Sequence, residues 1–180
     1  MSLVAFRAWP FFTQQREGLN GRPFKMVKIR SLSTKVPRDL DRNQLDSYPT
    51  SRWGDFLRRT HLDELPQIWQ VITGTMSMVG PRPMIVSICD QMDDEFRSLR
   101  CQVRPGVTGL WQISEDGTRL VIDAMHHDSR YLMWSSLRVD LRILWETVWQ
   151  VAGGRRLDEA DIRHRFASVI EDHPAGEPGD

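Results

Sequence analysis

Apolar and polar residues alternate through Phe24–Arg30, so that Lys25, Val27 and Ile29 share one face and Phe24, Met26, Lys28 and Arg30 the other. A period of two marks an extended strand. With a second extended run in "FFTQQRE" and the Gly18-Leu19-Asn20-Gly21 turn between them, residues 11–32 are expected to form an antiparallel hairpin with cations on one face. Residues 33–53 are polar and interrupted by Pro37 and Pro49, which predicts a loop, and "GDFLRRT" (54–60) predicts a short helical piece.

The period then lengthens. Leu62, Leu65, Trp69 and Ile72 recur at helical spacing from about His61 to Thr73, with Gly74 as the stop signal. An extended stretch is expected from Pro81, a helix from about Met84 to Leu99, and turn markers in "RPGVTGLWQI" (104–113) ahead of a short apolar run. The clearest amphipathic helix lies in 136–154. There Leu137, Leu141, Leu144, Trp145, Val148, Val151 and Ala152 form one stripe, Arg138, Arg142, Glu146 and Gln150 lie opposite, and Gly153-Gly154 closes the element. A short helix within 157–171 and a tail without reason to fold complete the pattern. It describes a helix-rich α+β domain over residues 1–155 with a small antiparallel hairpin, followed by a short helix and tail over 156–180.

Composition narrows the class. With 180 residues, 40% of them hydrophobic, the chain can bury one sizeable core. Cys89 and Cys101 are too few for a disulfide framework, which suggests a reducing compartment. The N-terminal "MSLVAFRAWPFF" has no secretory pattern, and Leu65–Pro81 is too interrupted to span a bilayer. Net charge is zero, yet the first sixty residues carry twelve Lys and Arg against five Asp and Glu. Nearly all the cations of the chain are arginines, whose planar fork suits bidentate contact with phosphate. No recognised nucleic-acid motif accompanies them. Cys89, Cys101, His126 and His127 lack the spacing of a zinc site.

The densest chemistry is in "RRTHLDELPQIWQVITGTMSMVGPRP" (58–83). Asp63 and Glu64 are adjacent where a helix begins, and neighbouring helical side chains diverge by about 100°, so the two acids can line two walls of one pocket. Thr60 and Asp63 also fit a capping box, in which Asp63 only complements the helix dipole. Arg82, between Pro81 and Pro83, likewise fits a solvated polyproline-like bend.

Taken together, "FTQQREGLNGRPFKMVKIRSL", "FLRRTHLDELPQIWQVITGTMSMVGPRP", "RPGVTGLWQIS" and "DLRILWETVWQVAGG" resemble, in that order, the bacterial sugar transferase family of monotopic polyprenyl-phosphate hexose-1-phosphate transferases. The resemblance runs from about Phe11 to Arg155. It implies transfer of a sugar 1-phosphate from a nucleoside diphosphate sugar, usually a UDP-sugar, to undecaprenyl phosphate at the cytoplasmic face of the bacterial inner membrane, initiating exopolysaccharide or related glycoconjugate synthesis. Asp63 is then the nucleophile that carries the phosphosugar, and Glu64 the ligand of Mg²⁺. Arg82 and Arg58 would hold the diphosphate, Lys28 and Arg30 the lipid phosphate or nucleotide, and Gln112 would line the pocket. The nucleotide sugar, the polyprenyl phosphate and the membrane surface are the expected partners, with self-association a further expectation and nucleic acid excluded.

Three departures accompany the resemblance. The 1–155 domain is expected to lack the family's usual upstream re-entrant membrane segment, either through truncation or because anchoring is done otherwise. Ser114 leads into Glu115-Asp116-Gly117 where the family usually has Gly-Arg, leaving Arg119 as the substitute. "DSYPTSRWG" stands where an Asp-Pro-Arg stretch is common. A non-catalytic member serving as a binding module is the alternative these departures raise.

Overall fold

The computed structural model describes residues 9–33, 36, 48, 51–119 and 121–168. Strands β1 (Phe11–Glu17) and β2 (Pro23–Ile29) form the expected antiparallel hairpin, joined by a 3₁₀ turn in which Asn20 and Gly21 take positive φ. The register sets Phe12 opposite Lys28, Gln14 opposite Met26 and Arg16 opposite Phe24. Arg16 therefore shares the face that alternation assigns to Lys28 and Arg30. Most of the expected 33–53 loop lies outside the described residues.

Helix α1 (Arg52–Arg59) starts two residues before the expected piece, because the Ser51 hydroxyl accepts from Gly54 N at 3.0 Å. The single helix expected over 61–73 is split. His61 takes φ of 54°, Leu62–Glu64 forms a 3₁₀ turn, and α2 (Pro66–Ile72) begins on a proline whose missing N–H costs nothing in a first turn. Thr60 donates its hydroxyl back to Phe56 O at 2.7 Å and so belongs to the end of α1; it forms no capping box with Asp63. Gly74, at φ of 76°, ends α2 as expected.

Strand β3 (Ser77–Val79) runs parallel to β4 (Gly106–Thr108), a pairing too short to read from periodicity. The chains pass so closely that a Cβ on Gly106 would stand 2.2 Å from Gly80 N. Between them the helix expected over 84–99 appears as α3 (Val86–Cys89) and α4 (Asp94–Arg100). The break is made by Asp93, whose carboxylate accepts from Glu95 N and Phe96 N and so starts a new helix.

After β4 come α5 (Leu110–Ile113), two 3₁₀ turns, α6 (Met125–Trp134), α7 (Leu137–Val151) and α8 (Glu159–Arg165). Val79, Leu110, Ile113, Tyr131, Trp134, Val139, Ile143, Leu157, Ile162 and Phe166 form the main core, so the segment beyond residue 155 packs into the same interior. A buried Arg100–Asp128 pair at 2.9 Å ties α4 to α6.

Helices α2 and α7 are turned over relative to simple amphipathic expectation. In α7 the buried face is Val139, Ile143 and Glu146, while Leu137 is 75% exposed and Trp145 64% exposed. Glu146 is tolerated inside because Arg142 (3.0 Å) and Arg165 (2.6 Å) both pair with it. In α2 the buried residues are Gln67 and Gln70, while Trp69 and Ile72 are 67% and 69% exposed. Gln70 serves as a surrogate strand for β2, accepting from Val27 N at 3.0 Å and donating to Lys25 O at 2.8 Å. Among the described residues no helix is long and apolar enough to cross a membrane.

Candidate active site

A cavity of about 410 Å³ lies between the hairpin, the Leu62–Glu64 turn, α2, the Pro81–Ile85 stretch, α5 and α7. Asp63, Glu64, Lys28, Arg30, Arg58, Arg82 and Gln112 all line it. Positions scattered over 85 residues of sequence are thus brought to one space.

The 3₁₀ turn sets the two acids in different surroundings. Asp63 is buried, and the loss of solvation pushes its carboxyl above the usual carboxylate range; the nearby charge of Glu64 adds to this and that of Lys28 opposes it. Glu64 goes the other way. Burial alone would raise it, but the charges of Lys28 and Arg82, together with a 2.6 Å hydrogen bond from Lys28 Nζ to Oε1, outweigh that and hold it at about 2. Glu64 is therefore ionised at any working pH.

Two arginines complete the floor. Arg82 stands over the Trp111 ring, 5.7 Å from its centroid, which fixes the guanidinium while leaving its N–H groups without a hydrogen-bonding partner among the described residues. Arg16 donates to Pro83 O at 3.2 Å, and its Nε is buried without a partner. Burial and the like charge of Arg82 press the pKa of Arg16 down, so its charge is held at a cost that an anion between the two would relieve. Arg16 went unnoticed in the sequence, although the alternation in "FFTQQRE" already put it on the face of Phe12 and Gln14.

Elsewhere on the wall, Arg30 donates to Trp9 O (3.0 Å) and Phe11 O (3.3 Å) and lies over Phe12, anchored to its own hairpin. Both amide atoms of Gln112 are buried without partners. Arg119 lines the cavity, whereas Glu115 and Asp116 do not; Asp116 pairs with Arg119 at 3.3 Å and turns to His127. Arg156, also unnoticed in the sequence, reaches the cavity while donating to Ser114 O at 3.3 Å.

The mouth differs from the floor. Leu65 just ahead of α2, Ile68 of α2, Met78 and Val107 of the parallel pair and Val151 of α7 line the same cavity, and all but Val107 among them stand exposed. Trp134, unlike the exposed Trp145 and Trp149, is buried in the core.

Comparison with known proteins places these residues in context. The family model described as bacterial sugar transferase matches residues 3–154. A UDP-galactose-lipid carrier transferase of Erwinia amylovora is 33% identical over 155 residues, covering 77% of this chain and 32% of that protein. A UDP-glucose:undecaprenyl-phosphate glucose-1-phosphate transferase of Klebsiella pneumoniae is 35% identical over 151 residues, with 77% and 32% covered. The exopolysaccharide production protein ExoY of Rhizobium meliloti is 34% identical over 168 residues, covering 82% of this chain and 73% of that protein. The chain spans about a third of the length of the first two relatives.

Proposed function

The chain belongs to the bacterial sugar transferase family, and from that premise we propose that it moves a sugar 1-phosphate from a UDP-sugar to a polyprenyl phosphate through an aspartyl intermediate on Asp63. The observation that carries this reading is the convergence of a buried carboxyl, an ionised Glu64–Lys28 pair and two unsaturated arginines in one cavity. Such a floor suits a diphosphate flanked by a nucleophile.

In the first step an ionised Asp63 oxygen attacks the phosphorus that bears the sugar, and the bond to the bridging oxygen breaks. The nucleoside monophosphate leaves with that electron pair. In the second, an oxygen of the lipid phosphate attacks the same phosphorus and displaces the Asp63 carboxylate, with no net proton change. Arg82 and Arg16 neutralise the diphosphate and hold it in line, and Arg58, Arg119 and Gln112 bound the rest of the space. Lys28 lowers the cost of ionising Asp63 and keeps Glu64 charged.

A magnesium ion fits the donor set: Glu64 is ionised and uses only Oε1 for Lys28, leaving Oε2 without a hydrogen-bonding partner among the described residues. Mg²⁺ takes one or two carboxylates with substrate phosphates, and its charge would stabilise the leaving oxygen. Glu64 would hold it.

The exposed apolar faces of α2 and α7 support docking on a membrane surface, the place where a polyprenyl phosphate is met. Both helices reach the cavity, so docking by these faces would bring its mouth to the headgroup level.

Intact-mass spectrometry of the chain with Mg²⁺ and a panel of UDP-sugars tests the reading. A phosphosugar adduct is expected, abolished by Asp63→Asn. An adduct that survives this substitution removes Asp63 as nucleophile, and turnover without any adduct points to direct transfer.

A further inference from the structure

We propose that Asp116, His126 and His127 form a binding site for one divalent transition-metal ion of the zinc class, separate from the acids of the cavity. One carboxylate oxygen and one nitrogen from each ring lie within 4.8 Å of one another. Asp116 Oδ2 stands 3.0 Å from His127 Nε2 and 3.8 Å from His126 Nε2. Ligands at about 2.0–2.1 Å from a tetrahedral Zn²⁺ are separated by roughly 3.4 Å. The spacings to Asp116 bracket that value, so an ion requires only a small adjustment.

The donor chemistry is selective. Two imidazole nitrogens and one carboxylate oxygen suit Zn²⁺, Co²⁺ or Ni²⁺, whereas Mg²⁺ and Ca²⁺ take oxygen ligands. Three protein donors leave a fourth position for water. Local structure makes the cluster. Asp116 sits in a 3₁₀ turn held by the Glu115 N to Leu157 O bond of 2.9 Å, and the two histidines occupy the first turn of α6 with ring centroids 4.0 Å apart. Consecutive helical side chains ordinarily diverge by about 100°, yet both rings here reach one carboxylate.

The two histidines contribute differently. His127 is 1% exposed, so packing fixes its ring with Nε2 turned to Asp116. His126 is half-buried and has no polar partner among the described residues other than Asp116, so it is free to close the remaining gap. The other side of the carboxylate pairs with Arg119, a cavity residue, as an outer partner that orients a metal-ligating acid. Sequence spacing around His126-His127 gives no hint of the site, because the third ligand is supplied by a different turn.

Equilibrium dialysis of the untagged chain with Zn²⁺ in excess Mg²⁺, and visible absorption with Co²⁺, test the proposal. One Zn²⁺ per chain, a tetrahedral Co²⁺ spectrum and a Zn²⁺-dependent rise in melting temperature are expected. His126→Ala and Asp116→Asn should each weaken binding at least about tenfold and abolish the rise, while Glu64→Gln leaves Zn²⁺ binding unchanged. His126 is partly exposed, so its variant is the primary probe, with circular dichroism to verify folding. Failure of the wild-type chain to bind Zn²⁺ stoichiometrically overturns the proposal. So does binding that persists in His126→Ala, or that is lost in Glu64→Gln.

Discussion

The mouth and the floor of the cavity reverse the ordinary division between surface and interior. At the mouth, Leu65, Ile68 and Val151 stand open to solvent, while the floor buries Asp63 and half-buries Glu64, Lys28 and Arg16. Each reversal has a separate physical cause. Apolar side chains stay outside on α2 and α7 because the inward faces are already filled, by Gln70 bonded to the edge of β2 and by Glu146 clasped between Arg142 and Arg165. On the floor, Lys28 and Glu64 stay inside because they neutralise one another, whereas Arg16 is held there against burial and the like charge of Arg82. The lesson is that hydrophobic periodicity reports where a stripe is, and what fills the opposite face decides which way it points.

The largest expected effect separates the two faces of α7. Ile143→Ala removes a fully buried side chain and should cost about 2–5 kcal/mol, whereas Leu141→Ala, two residues away and exposed, should change stability by less than about 0.5 kcal/mol. Denaturant unfolding of both variants checks this. Equal losses would show that the exposed stripe packs on something in the free protein.

Next in size are the exposed apolar faces of α2 and α7. Replacing Trp69 and Trp145 together with serine should reduce binding to vesicles of anionic phospholipid by about tenfold, given that buried apolar area drives interfacial attachment. Melting temperature should hold. Flotation that is unchanged in the double variant would remove these faces as the docking surface.

The smallest effect sharpens the floor, where two consecutive acids act oppositely on stability. Asp63 has a folded pKa above its unfolded value, so the folded state binds its proton more tightly and stability falls as pH rises from the unfolded value through the folded one. Asp63→Asn should leave the fold at pH 7 at least as stable as before. Glu64 has a folded pKa depressed to about 2, so its contribution is present above the unfolded value of about 4.3 and is lost as pH falls toward 2. Glu64→Gln should lower the melting temperature at pH 7, since it leaves Lys28 partly buried without its charge partner. Melting curves from pH 3 to pH 8 distinguish the two. Lys28→Met should also move the acid limb of adduct formation to higher pH, because Lys28 opposes the upward shift of Asp63.

By itself the sequence determined the elements with strong local codes. The hairpin and its cationic face follow from strict alternation and a Gly-containing turn, and α7 from a long periodic run closed by glycines. The family pattern singled out Asp63, Glu64, Arg82 and Lys28 because those residue types stand in a recognisable order. Where a single side chain makes the decision, local pattern failed. Asp93 divided the helix expected over 84–99, and the left-handed turn at His61 moved the two acids from a helix into a 3₁₀ turn.

Only the tertiary structure decided which face of α2 and α7 is buried, that Arg16, Arg119 and Arg156 join the cavity, and that Asp116 meets two histidines. These outcomes depend on partners far along the chain: Gln70 on Val27, Glu146 on Arg165, Arg16 on Pro83. Local propensity and period describe a residue's neighbours in sequence, and burial and pairing are properties of neighbours in space. The pKa of Asp63 is of the second kind. Its elevation comes from desolvation and from the balance between Glu64, its neighbour in sequence, and Lys28, reached only across the fold.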